Sequence, residues 1–296
     1  MKIRNILAAV VLAAGLAISG CSDSNNSDNS GNSGDSTDSF DYGVTSQKPK
    51  EIDGFSGNLG EVTPKAGDLI AEFEIEGFGT IKAVLFPEAA PVGVENFRKL
   101  ADSGFYSGLK IHRVYNEFMF QGGSTNGDGT GGDAAVNGGS FGIETAQNAR
   151  HFYGALCYAN AQGQNSTQFY IVNNKTPQDL ADFDAEYYKA VVEEGKGYIK
   201  ENKGTVYESS YRFQTQYYQN TLDWYTGATD EIRKKYETNG GTPHLDGNYT
   251  VFGQVYEGLD VVDKISAVEV TDNGSGEKSK PVEDTIIKSV KVTVFG

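Results

Sequence analysis

Short runs of alternating apolar and polar residues recur along the chain from residue 68 onward, which is the pattern of half-buried β-strands. Runs of this kind predict strands at 69–75, 80–86, 110–115, 118–121, 155–160, 168–172, 250–256 and 284–295. One helix is predicted to begin at Pro91 and to end at Gly104, and a second is predicted over 258–265. Many short strands with two short helices indicate a mainly β protein built as a closed antiparallel barrel.

Residues 174–242 interrupt this pattern with a segment rich in tyrosine and in charged residues. The segment contains 12 aromatic residues, and its apolar positions follow helical spacing, as in the series Leu180, Phe183, Tyr187 and Val191. Two further helical stretches are predicted around Trp224 and over 231–236. The sequence therefore predicts a helical insertion of 69 residues within the β body.

The N-terminus has the pattern of a targeting segment. Lys2 and Arg4 precede an apolar run of 13 residues, 6–18, whereas a membrane span needs about 20. The run ends in the sequence ISGC, which resembles the lipobox of bacterial lipoproteins. The resemblance implies that residues 1–20 are a signal peptide and that the sulfur of Cys21 carries a lipid. An ordinary secretory signal followed by a chance cysteine is the alternative.

A polar segment follows the predicted lipidation site. Residues 22–39 are all Ser, Asp, Asn, Gly or Thr, so they cannot bury enough apolar surface to fold. We therefore predict that residues 21–64 are the lipidated cysteine and a disordered linker, and that the folded domain spans 65–296. The sequence leaves open whether aromatic residues of this segment dock on the body, namely Phe40, Tyr42 and Phe55.

Composition narrows the possible functions. The chain of 296 residues has 25 Lys and Arg against 40 Asp and Glu, a net charge of −15 that argues against nucleic-acid binding. Two cysteines cannot form a disulfide framework, and Cys157 lies in an apolar stretch that predicts burial. The three histidines have no metal-ligand spacing, so no metal site is predicted.

Short motifs follow one another in order along the β body. They are FPEAAP at 86–91, ENF at 95–97, GFYSG at 104–108, IHRV at 111–114, FMFQGG at 118–123, GTGG at 129–132, ANA at 159–161, NSTQFYI at 165–171, LDG at 245–247 and VFG at 251–253. This series strongly resembles the cyclophilins, which are peptidyl-prolyl cis/trans isomerases. Without the first 64 residues and the insertion, the remaining 163 residues are the size of one cyclophilin domain.

The resemblance implies a cyclophilin-like eight-stranded antiparallel barrel, closed and capped by two helices, with the active site on its outer face. By position, Arg113 resembles the catalytic arginine, and Gln121 resembles the glutamine that binds the substrate backbone. The implied substrate-binding residues form the proline pocket, its rim and the groove for the residues before proline; they are Phe118, Met119, Ala159, Asn160, Gln168, Tyr170, His244, Leu245 and Tyr249.

The chemistry of an X–Pro bond explains why an arginine suits this reaction. The bond rotates over a barrier of about 18–20 kcal/mol because the amide is stabilised by resonance. In the twisted transition state the prolyl nitrogen regains a lone pair, and a guanidinium that donates to this nitrogen stabilises only that state. The reaction needs no nucleophile, metal or cofactor, so we predict none.

Three pocket positions depart from the usual residues of the family. His244 stands where a tryptophan is common in eukaryotic cyclophilins, Tyr170 replaces a phenylalanine, and Tyr249 replaces a histidine. The first change implies weak cyclosporin binding with isomerase activity retained. The hydroxyl of Tyr170 needs a hydrogen-bond partner if it is buried.

The main hypothesis is a lipid-anchored isomerase of the bacterial cell envelope. It would act as a monomer on X–Pro bonds of extracytoplasmic proteins and assist their folding. The alternative is a chaperone or scaffold lipoprotein that binds proline segments with little turnover. Two interpretations of the insertion 174–242 also stay open, a lid or client-binding arm and a stabilising helical addition.

Overall fold

A computed structural model describes residues 41–46 and 48–296. The predicted signal peptide 1–20, the predicted lipidation site Cys21 and the polar run 22–39 lie outside the described residues. The strands are β1 Leu69–Ile75, β2 Gly79–Leu85, β3 Lys110–Tyr115, β4 Met119–Gly122, β5 Ala155–Ala161, β6 Gln164–Val172, β7 Val251–Glu257, β8 Val270–Asp272, β9 Lys278–Pro281 and β10 Thr285–Val294. The α-helices are α1 Pro91–Asp102, α2 Ala185–Glu201, α3 Glu208–Thr226, α4 Asp230–Asn239 and α5 Leu259–Ser266.

Eight of these strands form a closed barrel in the order β1-β10-β3-β4-β6-β5-β7-β2. Every pairing in the barrel is antiparallel. Strands β8 and β9 form a separate two-stranded hairpin. The predicted mainly β fold, with an eight-stranded antiparallel barrel, is therefore confirmed.

Two helices pack against the barrel, as predicted. Helix α1 begins at Pro91, whose fixed φ suits the first helical position, and its apolar face includes the buried Phe97. The chain leaves α1 through Gly104 at a φ of 74°, a conformation that glycine adopts without strain. Helix α5 buries Val261, Val262 and Ile265 in the same core.

A second apolar cluster lies outside the barrel, and it contains the predicted pocket residues Met119, Tyr170 and Leu245. The segment before β1 packs on this cluster through Phe55, whose ring meets Phe86 edge-on at 5.5 Å. Nearby, the fully buried Asn58 donates to Arg150 O and to Gln254 Oε1. The packed part of the chain therefore begins before the predicted boundary at residue 64. The segment has no helix or strand, and single side chains such as these hold it on the body.

The insertion forms three α-helices, α2 to α4. Helices α2 and α3 run antiparallel, with the ring of Tyr198 stacked on that of Tyr211 and Tyr188 near Tyr218. Helix α4 packs Tyr236 against Phe152 of the body, with ring centroids 4.5 Å apart. No helix in the described part of the chain is both long and apolar enough to cross a membrane.

Candidate active site

Three neighbouring strands place the predicted polar residues side by side. Arg113 on β3 is in register with Gln121 on β4, and Gln121 is in register with Tyr170 on β6. Arg113 Nη1 lies 3.5 Å from Gln121 Oε1, and Gln121 Nε2 donates to Gln168 Oε1 at 2.9 Å. Gln168 in turn donates to the carbonyl of Gly129 at 2.9 Å. This chain of hydrogen bonds fixes the direction in which the side-chain amide of each glutamine points its oxygen and its nitrogen.

The guanidinium of Arg113 is held from the opposite side by Glu277. Arg113 Nε and Nη2 each donate to one carboxylate oxygen of Glu277 at 2.7 Å. The hydrogen bonds from Arg113 hold the pKa of the Glu277 carboxyl below its usual range. Sequence reasoning missed Glu277, because it lies in the polar β8–β9 hairpin, 164 residues from Arg113, and no motif marks it.

An apolar pocket adjoins this polar row. The side chains of Met119, Tyr170 and Leu245 are buried in one cluster, and Phe118 packs partly buried against it. The exposed His244 stacks on the Phe118 ring with centroids 5.8 Å apart. Arg113 Cζ lies 5.8 Å from the centre of the same Phe118 ring. The structure thus brings the cation to the edge of an apolar surface suited to a proline ring.

Two of the three predicted groove residues lie on strand β5, while the third, Gln168, lies in the polar row beside Gln121. Ala159 and Asn160 lie near the end of strand β5, and Asn160 Nδ2 donates to the carbonyl of Asn248 at 2.9 Å. The next residue, Tyr249, meets the ring of Tyr170 edge-on at 6.0 Å. All eleven predicted catalytic and substrate-binding residues therefore lie on one outer face of the barrel or in the loop beside it.

The hydroxyl of Tyr170 has the partner that its burial requires. It lies 2.9 Å from His151 Nε2, and His151 Nδ1 lies 2.8 Å from Asp246 Oδ1. Burial raises the pKa of Tyr170 well above its usual value, so the phenol stays neutral and pairs with His151 Nε2. Because an ionised carboxylate only accepts hydrogen bonds, it is His151 Nδ1–H that donates to Asp246.

Asp246 also joins the barrel to the insertion. The guanidinium of Arg150, with only 1% of its side chain exposed, donates to Asp246 Oδ2 at 3.0 Å, as does the Tyr236 hydroxyl at 2.7 Å. Arg150 lies against the Trp224 ring, 4.3 Å from its centroid. Burial opposes ionisation of Asp246, but Arg150, His151 and Tyr236 outweigh it and hold the pKa of this carboxyl below its usual range.

Helix α3 forms one wall of a cavity of about 180 Å³ beside the groove. The barrel side of the cavity includes Asn160 and Tyr249, and the α3 side includes Phe213 and Tyr217. The insertion therefore reaches the predicted substrate face, which the sequence indicated only through the position of its two ends.

The other reactive side chains of the body have structural surroundings. Burial and the neighbouring Arg113 lower the pKa of His112 to about 4, so His112 is neutral near pH 7 and is no general acid there. Cys157 is fully buried, and burial raises its pKa. Within residues 41–46 and 48–296, no group of three or more His, Cys, Asp or Glu side chains is placed to hold a metal ion.

The sequence of the chain is similar to those of proteins described as peptidyl-prolyl cis-trans isomerases. Residues 70–292 match the sequence model of the family described as cyclophilin type peptidyl-prolyl cis-trans isomerase/CLD. A Staphylococcus haemolyticus protein, provisionally named a peptidyl-prolyl cis-trans isomerase, is 35% identical over 216 residues, which are 72% of this chain and 86% of that protein. A Streptococcus pyogenes protein, provisionally named a bifunctional phosphatase/peptidyl-prolyl cis-trans isomerase, is 36% identical over 72% of this chain, but only 37% of its own length is matched.

Solved structures of a cyclophilin type peptidyl-prolyl cis-trans isomerase from Cryptosporidium parvum have the same fold. One has a TM-score of 0.51 at 18% identity and covers 77% of this chain and 99% of its own. Another, determined in the presence of the dipeptide Ala-Pro, has a TM-score of 0.50 at 19% identity, covering 76% of this chain and 99% of its own. At this level of identity the likeness shows the fold alone.

Proposed function

The chain belongs to the cyclophilin-type peptidyl-prolyl cis-trans isomerases, and from this premise we propose that it isomerises X–Pro bonds of extracytoplasmic proteins while tethered to a membrane through Cys21. The enzyme class predicted from the sequence, a peptidyl-prolyl isomerase, is confirmed by the family match and the relatives. The location of the substrates, the lipid anchor, the monomeric state and the roles of single residues belong to the proposal.

One observation carries the proposed mechanism: the Arg113 guanidinium lies at the edge of the apolar pocket, beside Gln121. With the proline ring against Phe118 and Met119, a donor of Arg113 faces the prolyl nitrogen as the bond twists. Gln121 binds the substrate backbone, and Ala159, Asn160 and Gln168 line the groove for the residues before proline. Tyr170, Leu245, His244 and Tyr249 close the far side of the pocket.

Arg113 supplies only part of the rate enhancement. A hydrogen bond from a charged donor contributes about 1.5–3 kcal/mol. A 10⁵-fold acceleration requires about 7 kcal/mol. The remaining stabilisation comes from the apolar clamp on the ring, from backbone hydrogen bonds, and from polar groups that are already oriented before the bond rotates.

The mechanism is tested on residues 41–296, which retain the docked segment before β1, by following the isomerisation of a short Xaa-Pro peptide. Arg113→Ala is compared with Arg98→Ala, a control on the exposed face of α1 whose guanidinium pairs only locally with Glu95 and Asp102. We expect Arg113→Ala to lose at least tenfold in kcat/KM, on the 1.5–3 kcal/mol scale of one charged hydrogen bond. Arg98→Ala should match the unchanged protein.

The alternative, a binding protein with little turnover, predicts a different outcome. It expects slow isomerisation by the unchanged protein, and full function of Arg113→Ala in the cell. The paired presence of Arg113 and Gln121 at the pocket favours the enzyme.

The location rests on the N-terminal sequence, where a short apolar run ends in Cys21 and the polar segment 22–39 separates this cysteine from the body. Membrane fractionation of the full chain beside Cys21→Ser tests it. The proposal expects the unchanged protein in the membrane fraction and the variant outside it. Equal partition of the two proteins would remove the lipid anchor from the proposal.

We also propose that the insertion acts as a fixed wall of the substrate groove. Helix α3 is bonded to the pocket loop: Tyr217 donates its hydroxyl to His244 O at 3.3 Å, and Asn248 Nδ2 donates to Thr221 Oγ1 at 3.0 Å. Gly247 has a φ of 78° and lies so close to the Trp224 indole that a Cβ atom would meet it at 2.3 Å. These contacts favour a stabilising addition over a lid. In this proposal, the cavity lined by Asn160 accepts a substrate side chain before proline.

A further inference from the structure

The β8–β9 hairpin brings a carboxylate to the proposed catalytic arginine. Glu277 is the last residue before β9, and its side chain is 24% exposed beside Arg113, which is 15% exposed. Two parallel hydrogen bonds of 2.7 Å join them. A planar guanidinium matched in this way to a planar carboxylate is fixed in position and in tilt.

The turn that carries Glu277 is itself fixed by hydrogen bonds. Asn273 N donates to Glu277 O at 2.9 Å, and the Asn273 side chain accepts from Ser275 N at 2.9 Å. Asp272 Oδ1 accepts from Gly274 N at 2.7 Å. Glu277 is therefore presented from an ordered turn, which makes it suited to hold another side chain.

Glu277 binds one edge of the Arg113 guanidinium, and this determines which nitrogen of the group faces the pocket. The carboxylate occupies Nε and Nη2, while Nη1 points toward Gln121 Oε1, 3.5 Å away. Since arginine has many side-chain rotamers, a donor held in place before substrate arrives avoids an ordering cost in the transition state.

We propose that Glu277 is a positioning residue that orients the Arg113 guanidinium toward the prolyl nitrogen. This inference rests on the proposed function of Arg113. Glu277 acts only through Arg113 and touches no substrate, so its removal should lower kcat while KM changes little.

Glu277→Gln tests the inference, because the amide keeps the volume but offers one acceptor where the carboxylate offers two. We expect kcat to fall about tenfold, equivalent to about 1.4 kcal/mol, with KM changed less than about twofold. Glu283→Gln is the matched control, since it removes the same charge from an exposed position near the same hairpin. The control should keep the kcat of the unchanged protein.

A double-mutant cycle shows whether Glu277 acts through the arginine. In an Arg113→Lys background the bidentate contact is already lost, so adding Glu277→Gln should change kcat by less than about twofold. A further tenfold loss in that background would overturn the inference. So would an increase in kcat for Glu277→Gln alone, because it would mean that the carboxylate restrains Arg113 away from the substrate.

A measurement on the side chain separates positioning from mere support of the hairpin. The Arg113 Nε–H signal in ¹⁵N NMR should exchange slowly in the unchanged protein and in Glu283→Gln, but rapidly in Glu277→Gln. A Glu277→Gln protein with lowered Tm and unchanged kcat would overturn the inference. If Arg113→Ala itself keeps full activity, the proposed function fails first; if only Glu277→Gln keeps it, the positioning role alone fails.

Discussion

Two arginines of this protein pair with carboxylates in opposite surroundings. Arg113 lies at the rim of the proposed substrate face and is 15% exposed, while Arg150 lies under the proposed pocket and is 1% exposed. Glu277 meets Arg113 from a surface hairpin, and Asp246 meets Arg150 inside a network that includes the insertion. One kind of ion pair therefore holds a part-buried arginine at the proposed substrate face in one place and links the barrel to the insertion in the other.

Burial explains the difference in what each pair does. A pair that water can reach contributes less to stability than a fully buried one, since water solvates its partners when they separate. A buried charge left without its partner is costly, because neither water nor another group replaces the lost contact. Substitutions at Arg150 should therefore change stability, and substitutions at Arg113 should change activity.

The largest effect is expected for Arg150→Met, which keeps much of the side-chain volume but leaves Asp246 buried without its cation. The free energy of unfolding should fall by about 3–5 kcal/mol. Urea unfolding followed by circular dichroism measures it. A loss below about 1 kcal/mol would show that the rest of the network compensates for Arg150.

The contribution of the buried network around Asp246 to stability should fall in acid. The pKa of Asp246 is lower in the folded protein than its usual 3.8, so its ionised form stabilises the fold above about pH 4. This contribution is lost as the pH falls through the folded-state pKa. The difference in unfolding free energy between the unchanged protein and Asp246→Asn should stay constant from about pH 7 to 5 and shrink below about pH 4. A difference that stays constant down to about pH 2 would contradict this.

Arg113→Lys should give the opposite result to Arg150→Met. The ammonium keeps the charge but cannot reproduce the two parallel hydrogen bonds, so kcat/KM should fall about tenfold or more. The free energy of unfolding should change by less than about 1 kcal/mol. Stopped-flow isomerisation assays and urea unfolding of the same preparation check both numbers. Equal activity would show that the charge alone is sufficient.

A smaller effect is expected at Tyr170, which links the proposed pocket to the buried network of Asp246 through His151. Tyr170→Phe removes the hydroxyl that pairs with His151 Nε2, and a buried polar atom left unpaired costs about 1–3 kcal/mol. The aromatic face of the pocket is kept, so kcat/KM should change less than about threefold, below one tenfold step of 1.36 kcal/mol. A large loss of activity with unchanged stability would place the hydroxyl in the reaction itself.

The smallest effect concerns selectivity. Phe213→Ala removes an apolar side chain from the wall of the cavity beside the groove. If a substrate side chain enters this cavity, the ratio of kcat/KM for an apolar over a charged residue before proline should fall by a few-fold, less than about 1 kcal/mol. Val206→Ala is the control, because Val206 is 85% exposed on the same insertion. Ratios of kcat/KM for peptides with Leu or Glu before proline measure the change. Unchanged ratios would limit α3 to a supporting role.

The sequence predicted the parts of this molecule that local chemistry determines. Alternation located the barrel strands, and Pro91 marked the start of α1. The ordered motifs assigned Arg113 and Gln121 to one site, and the structure has them in register on adjacent strands. Glu277 was not predicted, because a glutamate on a polar hairpin has the same local pattern whether or not it meets an arginine far away in sequence. Phe55 was left open for a similar reason: its segment has no periodicity, and only the docked structure shows its partner.

The buried network between the insertion and the barrel has a spectroscopic consequence. Trp224 is the only tryptophan in the chain, and it lies against the guanidinium of Arg150 where the insertion meets the barrel. Indole fluorescence therefore reports the integrity of this contact without any added label. If α3 separates from the pocket loop before the strands unfold, the emission changes at a lower denaturant concentration than the circular dichroism signal of the barrel. The two signals then report two separate transitions.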